Sequence, residues 1–123
     1  MDAYVGNIEE KTKQNTNYRE VVHTGPDSQL VVMSLLPGEE IGEEAHNIDQ
    51  FLRFEEGAGE VVLGGETSGV SDGFAVVVPA GTMHNVRNTG GVPLKLYTIY
   101  SAPQHPEDTV HKTKADSVEE EGH

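Results

Sequence analysis

The sequence predicts an all-β domain, a small barrel or sandwich of short strands. Two observations carry this. About seven or eight short apolar, β-branched runs follow one another along 123 residues with turn signals between them. Fourteen glycines and six prolines punctuate those runs, and tight β-turns ask for glycine where φ is positive. No stretch has a convincing helical period. The length suits one domain around one core, and 35% hydrophobic residues suit a modest one.

The elements follow in order. Residues 1–17 form a polar arm in which only Val5 and Ile8 offer apolar anchors, and no core strand is expected there. The barrel domain spans residues 18–103. Tyr18 to Val22 reads as a short strand ending near Gly25-Pro26-Asp27. Gln29 to Leu36 is an apolar run stopped by Pro37-Gly38, a strong turn signal. An acidic stretch, Glu39 to Glu44, leads into Ala45 to Phe54. Glu60 to Leu63 is broken by Gly64-Gly65. Asp72-Gly73 turns the chain into Phe74 to Val78, which Pro79-Ala80-Gly81 closes. His84 to Asn88 and Leu94 to Tyr100 complete the set. Residues 104–123 form a polar tail bearing His105 and His111, with disorder expected in the acidic stretch from Ala115.

The charge excludes several functions. With 21 acidic and 8 basic residues the net charge is −13. Such a surface repels nucleic acid and anionic lipid, so neither is expected as a partner. A solubility-tuned surface and adaptation to high salt both fit it. No apolar run approaches ~18 residues, so no transmembrane helix is expected. The start, Met1-Asp2-Ala3-Tyr4, lacks the basic-then-apolar pattern of a signal peptide, and a cytoplasmic location is expected. There is no cysteine. Any metal site must therefore use imidazole, carboxylate, amide or water.

Glu44, His46 and Gln50 are separated by even numbers of residues. On an uninterrupted strand they share one face, which Leu52 and Phe54 continue as apolar residues. A polar cluster at the end of an apolar stripe suggests the mouth of a barrel above its packed interior. In a second segment, a buried strand meets a Pro-x-Gly turn and His84 begins the returning strand.

These two segments resemble the two motifs of the cupin superfamily. The first motif is met at Gly38, Glu44, His46, Gln50 and Gly57, with two ligand positions changed. The second is met without departure at Gly73, Pro79, Gly81, His84 and Asn88. The resemblance covers roughly residues 30–100. It implies a single cupin barrel, a double-stranded β-helix or jelly roll. It also implies metal ligands at Glu44, His46, Gln50 and His84. The family's usual carboxylate has moved to the first position, and an amide stands at the third. Glu44, His46 and His84 then make a two-His, one-carboxylate set, which suits one divalent ion: Fe, Mn, Ni or Zn. Gln50 ligates through its carbonyl oxygen or bonds a metal-bound water. Glu44 is alternatively a general base. Gly73, Pro79, Gly81 and Asn88 shape the turn.

Fold does not settle function. Two readings follow from the resemblance: a metalloenzyme acting on a small oxygen-bearing molecule, and a small-ligand binding module without turnover, with or without metal. Arg53 and Arg87 are expected to face outward, which counts against a phosphosugar substrate. Phe54, Tyr97 and Met83 are candidates for a pocket lining or for plain core. A homodimer is expected, with the arm before Tyr18 available as an exchanged strand.

Overall fold

The computed structural model describes residues 2–121, with side chains through residue 118. Two antiparallel sheets face one another. The strands are β1 (Arg19–Thr24), β2 (Gln29–Leu35), β3 (Asp49–Glu56), β4 (Ala58–Leu63), β5 (Glu66–Ser71), β6 (Ala75–Val78), β7 (His84–Arg87), β8 (Leu94–Ser101) and β9 (Val110–His111). The larger sheet runs β6-β3-β8-β2-β1-β9 and the smaller β5-β4-β7. Between them lies a core in which Val31, Met33, Leu35, Leu52, Phe54, Leu94 and Leu96 meet Val61, Val70 and Val86.

Alternation decides which side chains enter that core. On β3, Gln50, Leu52 and Phe54 are buried in turn. A bulge between Phe54 and Glu56 breaks the period, and Glu55 is buried too, paired with Arg53 at 2.9 Å. Arg53 and Arg87 are half-exposed on the outer side, as the parity predicts. Phe54 is plain core. Tyr97 faces outward, its ring 6.2 Å from that of Phe51 across the strands, and Met83 is exposed.

Four differences from the sequence reading have physical causes. The arm, read as polar and without a core strand, holds a helix, α1 (Ile8–Gln14). Its order comes from its ends. Asn7 caps it by accepting from the Glu10 N–H at 3.0 Å, and Glu9 and Glu10 open a helix that Lys11 and Lys13 close. The Asn15 carbonyl at its far end accepts from the buried Lys95 ammonium on β8. The expected disorder from Ala115 gives way to a second helix, α2 (Lys114–Glu121). Thr113 and Asp116 form a reciprocal capping box there, at 3.2 and 3.3 Å; residues 122 and 123 lie outside the described residues. Strand β5 goes unread in the sequence because, of its six residues, only Val70 is buried. Strand β9 is only two residues long. No helix among the described residues is long and apolar enough to cross a membrane.

Candidate metal centre

The site lies where β7 begins and the chain approaches β3. Pro79, Ala80, Gly81 and Thr82 form a turn closed by the Thr82 N–H to the Pro79 carbonyl at 3.1 Å. Gly81 sits at its third position with φ of +84°, which a side chain would strain. That conformation aims the Gly81 N–H at the His46 carbonyl, 2.7 Å away. The second motif thus holds the first by its backbone. One step on, Glu44 and His84 form an isolated antiparallel bridge, their N–H and carbonyl groups exchanging bonds of 2.9 and 3.0 Å. Directly opposed residues project to the same face.

The even-number argument assumes one continuous strand, which the structure does not have. Strand β3 starts only at Asp49, so Glu44 and His46 are not on it. The cross-bonds to Gly81 and His84 bring them in. Donor atoms of Glu44, His46 and His84 all lie within 4.8 Å of one another. Glu44 Oε1 is 3.6 Å from His46 Nε2 and 3.9 Å from His84 Nε2. These separations are too long for hydrogen bonds. Two donors that share one ion at about 2.1 Å stand roughly 3–3.5 Å apart, so the three atoms need only a small closure to meet that spacing.

The tautomer of His84 follows from its neighbour. Its Nδ1 lies 2.9 Å from the Thr82 carbonyl, which can only accept, so Nδ1 carries a proton and Nε2 is the nitrogen left to present a lone pair to a metal. His84 is 5% exposed, and Nε2 is buried without a hydrogen-bond partner. His46 Nε2 is likewise buried and unpartnered.

Gln50, the second residue of β3, is 4% exposed. The Thr98 hydroxyl spends its one proton on the Phe51 carbonyl at 2.9 Å, so it can only accept from Gln50. The Gln50 amide therefore gives its nitrogen to Thr98 at 3.0 Å and leaves Oε1 buried with no donor. The His84 Nε2 and Gln50 Oε1 are thus buried acceptors to which no described residue donates, and the His46 Nε2 beside them is buried and unpartnered as well. Such groups are costly alone. Together with a carboxylate they are the hard and borderline donors a divalent ion takes.

Two rings flank this cluster: Tyr100, which the sequence marks only as a strand end, and His105 of the His-bearing tail. Tyr100 is 2% exposed and stands edge-on to His46, centroids 5.7 Å apart. It pairs with Gln50 across the strands and follows Leu94, Leu96 and Thr98 in inward parity, so alternation alone identifies it. His105 packs edge-on to Tyr100 at 5.5 Å. No local pattern places it. Buried Gln29 does so by accepting from the N–H groups of Gln104 and His105 and donating to the His105 carbonyl, all within 2.8–3.1 Å. Asn88 is structural: its amide nitrogen bonds the Leu35 and Val92 carbonyls, and its oxygen takes the Gly90 N–H.

Comparison with known proteins gives a consistent family. The model of the cupin domain family matches residues 31–100. The uncharacterised protein YrkC of Bacillus subtilis is 52% identical over 122 residues, covering 94% of this chain and 66% of that protein. An uncharacterised protein of Acanthamoeba polyphaga mimivirus is 44% identical over 109 residues, 85% of this chain and 68% of its own. The chain thus spans about two thirds of the length of these curated relatives. A crystal structure from Bacillus halodurans superposes with a TM-score of 0.94 at 49% identity, covering 96% of this chain and 95% of that one.

Proposed function

The chain belongs to the cupin family, and from that premise we propose that it binds one divalent metal ion and acts through it on a small oxygen-bearing organic molecule. One observation carries this reading: His46 Nε2, His84 Nε2 and Gln50 Oε1 are all buried and unpartnered, and the Glu44 carboxylate stands within 4 Å of both imidazoles. Glu44, His46 and His84 hold the ion. Gln50 is the fourth donor, or bonds a water on it.

Bound there, Fe, Mn, Ni or Zn supplies a Lewis acid for a substrate carbonyl, enolate or hydroxyl oxygen, and Fe(II) also supplies chemistry with O₂. The chain's own groups do the rest. The Thr82 carbonyl orients His84, Thr98 orients Gln50, and the Gly81 N–H fixes the backbone of His46. The Tyr100 ring keeps solvent from the inner side of His46. Glu44, about a third exposed, is the one member open enough to exchange protons with a ligand in the mouth.

A metal-free binding module is the competing reading. It is favoured by Glu44 standing near both imidazoles, where it would pair with them if they were protonated. Thermal unfolding with Mn²⁺, Fe²⁺, Ni²⁺ and Zn²⁺ separates the two. An ion at 100 times its Kd stabilises the fold by about 2.7 kcal/mol, and the expected shift is lost in Glu44→Gln. No shift with any ion supports the metal-free module. Oxygen uptake by the Fe(II) form on small diketones and hydroxy acids then tests for turnover; uptake that requires both protein and substrate is the expected result, and silence points to binding or isomerisation.

A further inference from the structure

Arg19 opens β1 on the core-facing side, and its side chain is 3% exposed. A buried guanidinium without a counter-charge is strongly unfavourable. Among the described residues no carboxylate pairs with it. Its Nη1 donates to Ser117 Oγ at 2.8 Å and to His111 Nδ1 at 3.3 Å, neither of them a carboxylate. The Tyr18 ring lies 5.3 Å from its central carbon. Among the described residues its Nε–H, which is buried, has no acceptor.

A cavity of about 250 Å³ lies against this group, room for roughly eight waters or one small organic acid. Arg19, Tyr18, Lys114 and Ser117 line it together with Glu43 and Glu44. Glu44 is shared, with its donor atom at the metal centre and its residue in the cavity wall.

We propose that this cavity is a carboxylate-binding site. Arg19, seconded by Lys114, takes the carboxylate of a small organic acid, whose far end points toward Glu44 and its ion. The placement of the far end rests on the metal reading; the anchoring of the carboxylate does not. Arg19 lies in the cavity wall, and a guanidinium offers the planar fork that a carboxylate fits, which a lone ammonium does not. Glu43 and Glu44 oppose a second negative charge, so monocarboxylates such as a 2-hydroxy or 2-oxo acid are favoured over dicarboxylates.

The test is NMR of the ¹⁵N-labelled full chain, following the Arg19 Nε–H resonance with and without Zn²⁺. Lactate is expected to move that resonance saturably in the metal-free protein, with a Kd of about 1–10 mM, and uncharged propane-1,2-diol is expected to leave it in place. Arg19→Lys weakens lactate about tenfold, and Lys114→Gln about two- to threefold. Should Arg19→Lys fail to fold, the wild-type resonance and Lys114→Gln decide. A resonance unmoved by about 50 mM lactate overturns the proposal. So does one that responds only when Glu119, Glu120 and Glu121 are all changed to Gln, because the chain's own carboxylates then satisfy Arg19. Lactate that binds only the Zn²⁺ form and leaves Arg19 unmoved overturns this site and leaves the metal centre standing. Saturable binding without metal supports the site even if no ion proves to bind.

Discussion

Glu44 and His84 are joined by their backbones before their side chains meet. Each N–H donates to the other's carbonyl, at 3.0 and 2.9 Å, although forty residues of chain separate them. This makes the carboxylate and the imidazole neighbours whatever occupies the space between their side chains. A change at either side chain therefore removes a donor without moving the other.

Thr98→Val tests the role of Gln50. Valine keeps the volume but removes the hydroxyl that accepts from Gln50 and donates to Phe51. The buried Gln50 amide nitrogen loses its partner, at a cost of about 1–2 kcal/mol. The amide is then free to rotate, and metal affinity falls about tenfold if Gln50 serves the ion. Urea unfolding and a competition titration with a chelator read the two effects. Affinity unchanged at the expected loss of stability would make Gln50 a bystander.

Gly81→Ala tests the backbone tie. An added Cβ meets nothing within 4 Å, so the cost is conformational alone. A left-handed residue with a side chain costs about 1–2 kcal/mol, lowering the urea midpoint. Metal affinity falls as well, since the strained turn holds His46 through the Gly81 N–H. Full stability would mean that the turn is not held at positive φ.

Asp116→Ala tests α2. Loss of the capping box costs the helix about 0.5–1 kcal/mol. Hydrogen exchange is expected to speed up across residues 114–118 while β2, β3 and β8 keep their protection. Faster exchange in all of them would mean that the helix and barrel unfold together.

The legible and illegible parts of the sequence divide by the range of the interactions involved. The strand, turn and strand from Ala75 to Arg87 read plainly because Pro79 and Gly81 set the turn locally. Inward positions on β3 and β8 follow from alternation, with Gln50 and Tyr100 among them. Helices α1 and α2 escaped because capping and tertiary bonds fix them, with no apolar period: Lys95 reaches Asn15, and Arg19 reaches Ser117. His105 is visible in the sequence as part of the tail, but its position is not, because a glutamine 76 positions earlier holds it. Glu44 and His46 were found by register, but what joins them to His84 is cross-chain hydrogen bonding rather than one continuous strand.

Elemental analysis of protein purified without added metal, wild type beside His84→Ala, tests the metal centre most directly. The imidazole of His84 is buried, oriented by Thr82 and unpartnered at Nε2. The wild type is expected to carry about one transition-metal ion per chain, and His84→Ala, folded by circular dichroism, less than about a tenth of that. A folded wild type that retains no ion and gains no thermal stability from Mn²⁺, Fe²⁺, Ni²⁺ or Zn²⁺ would contradict the account.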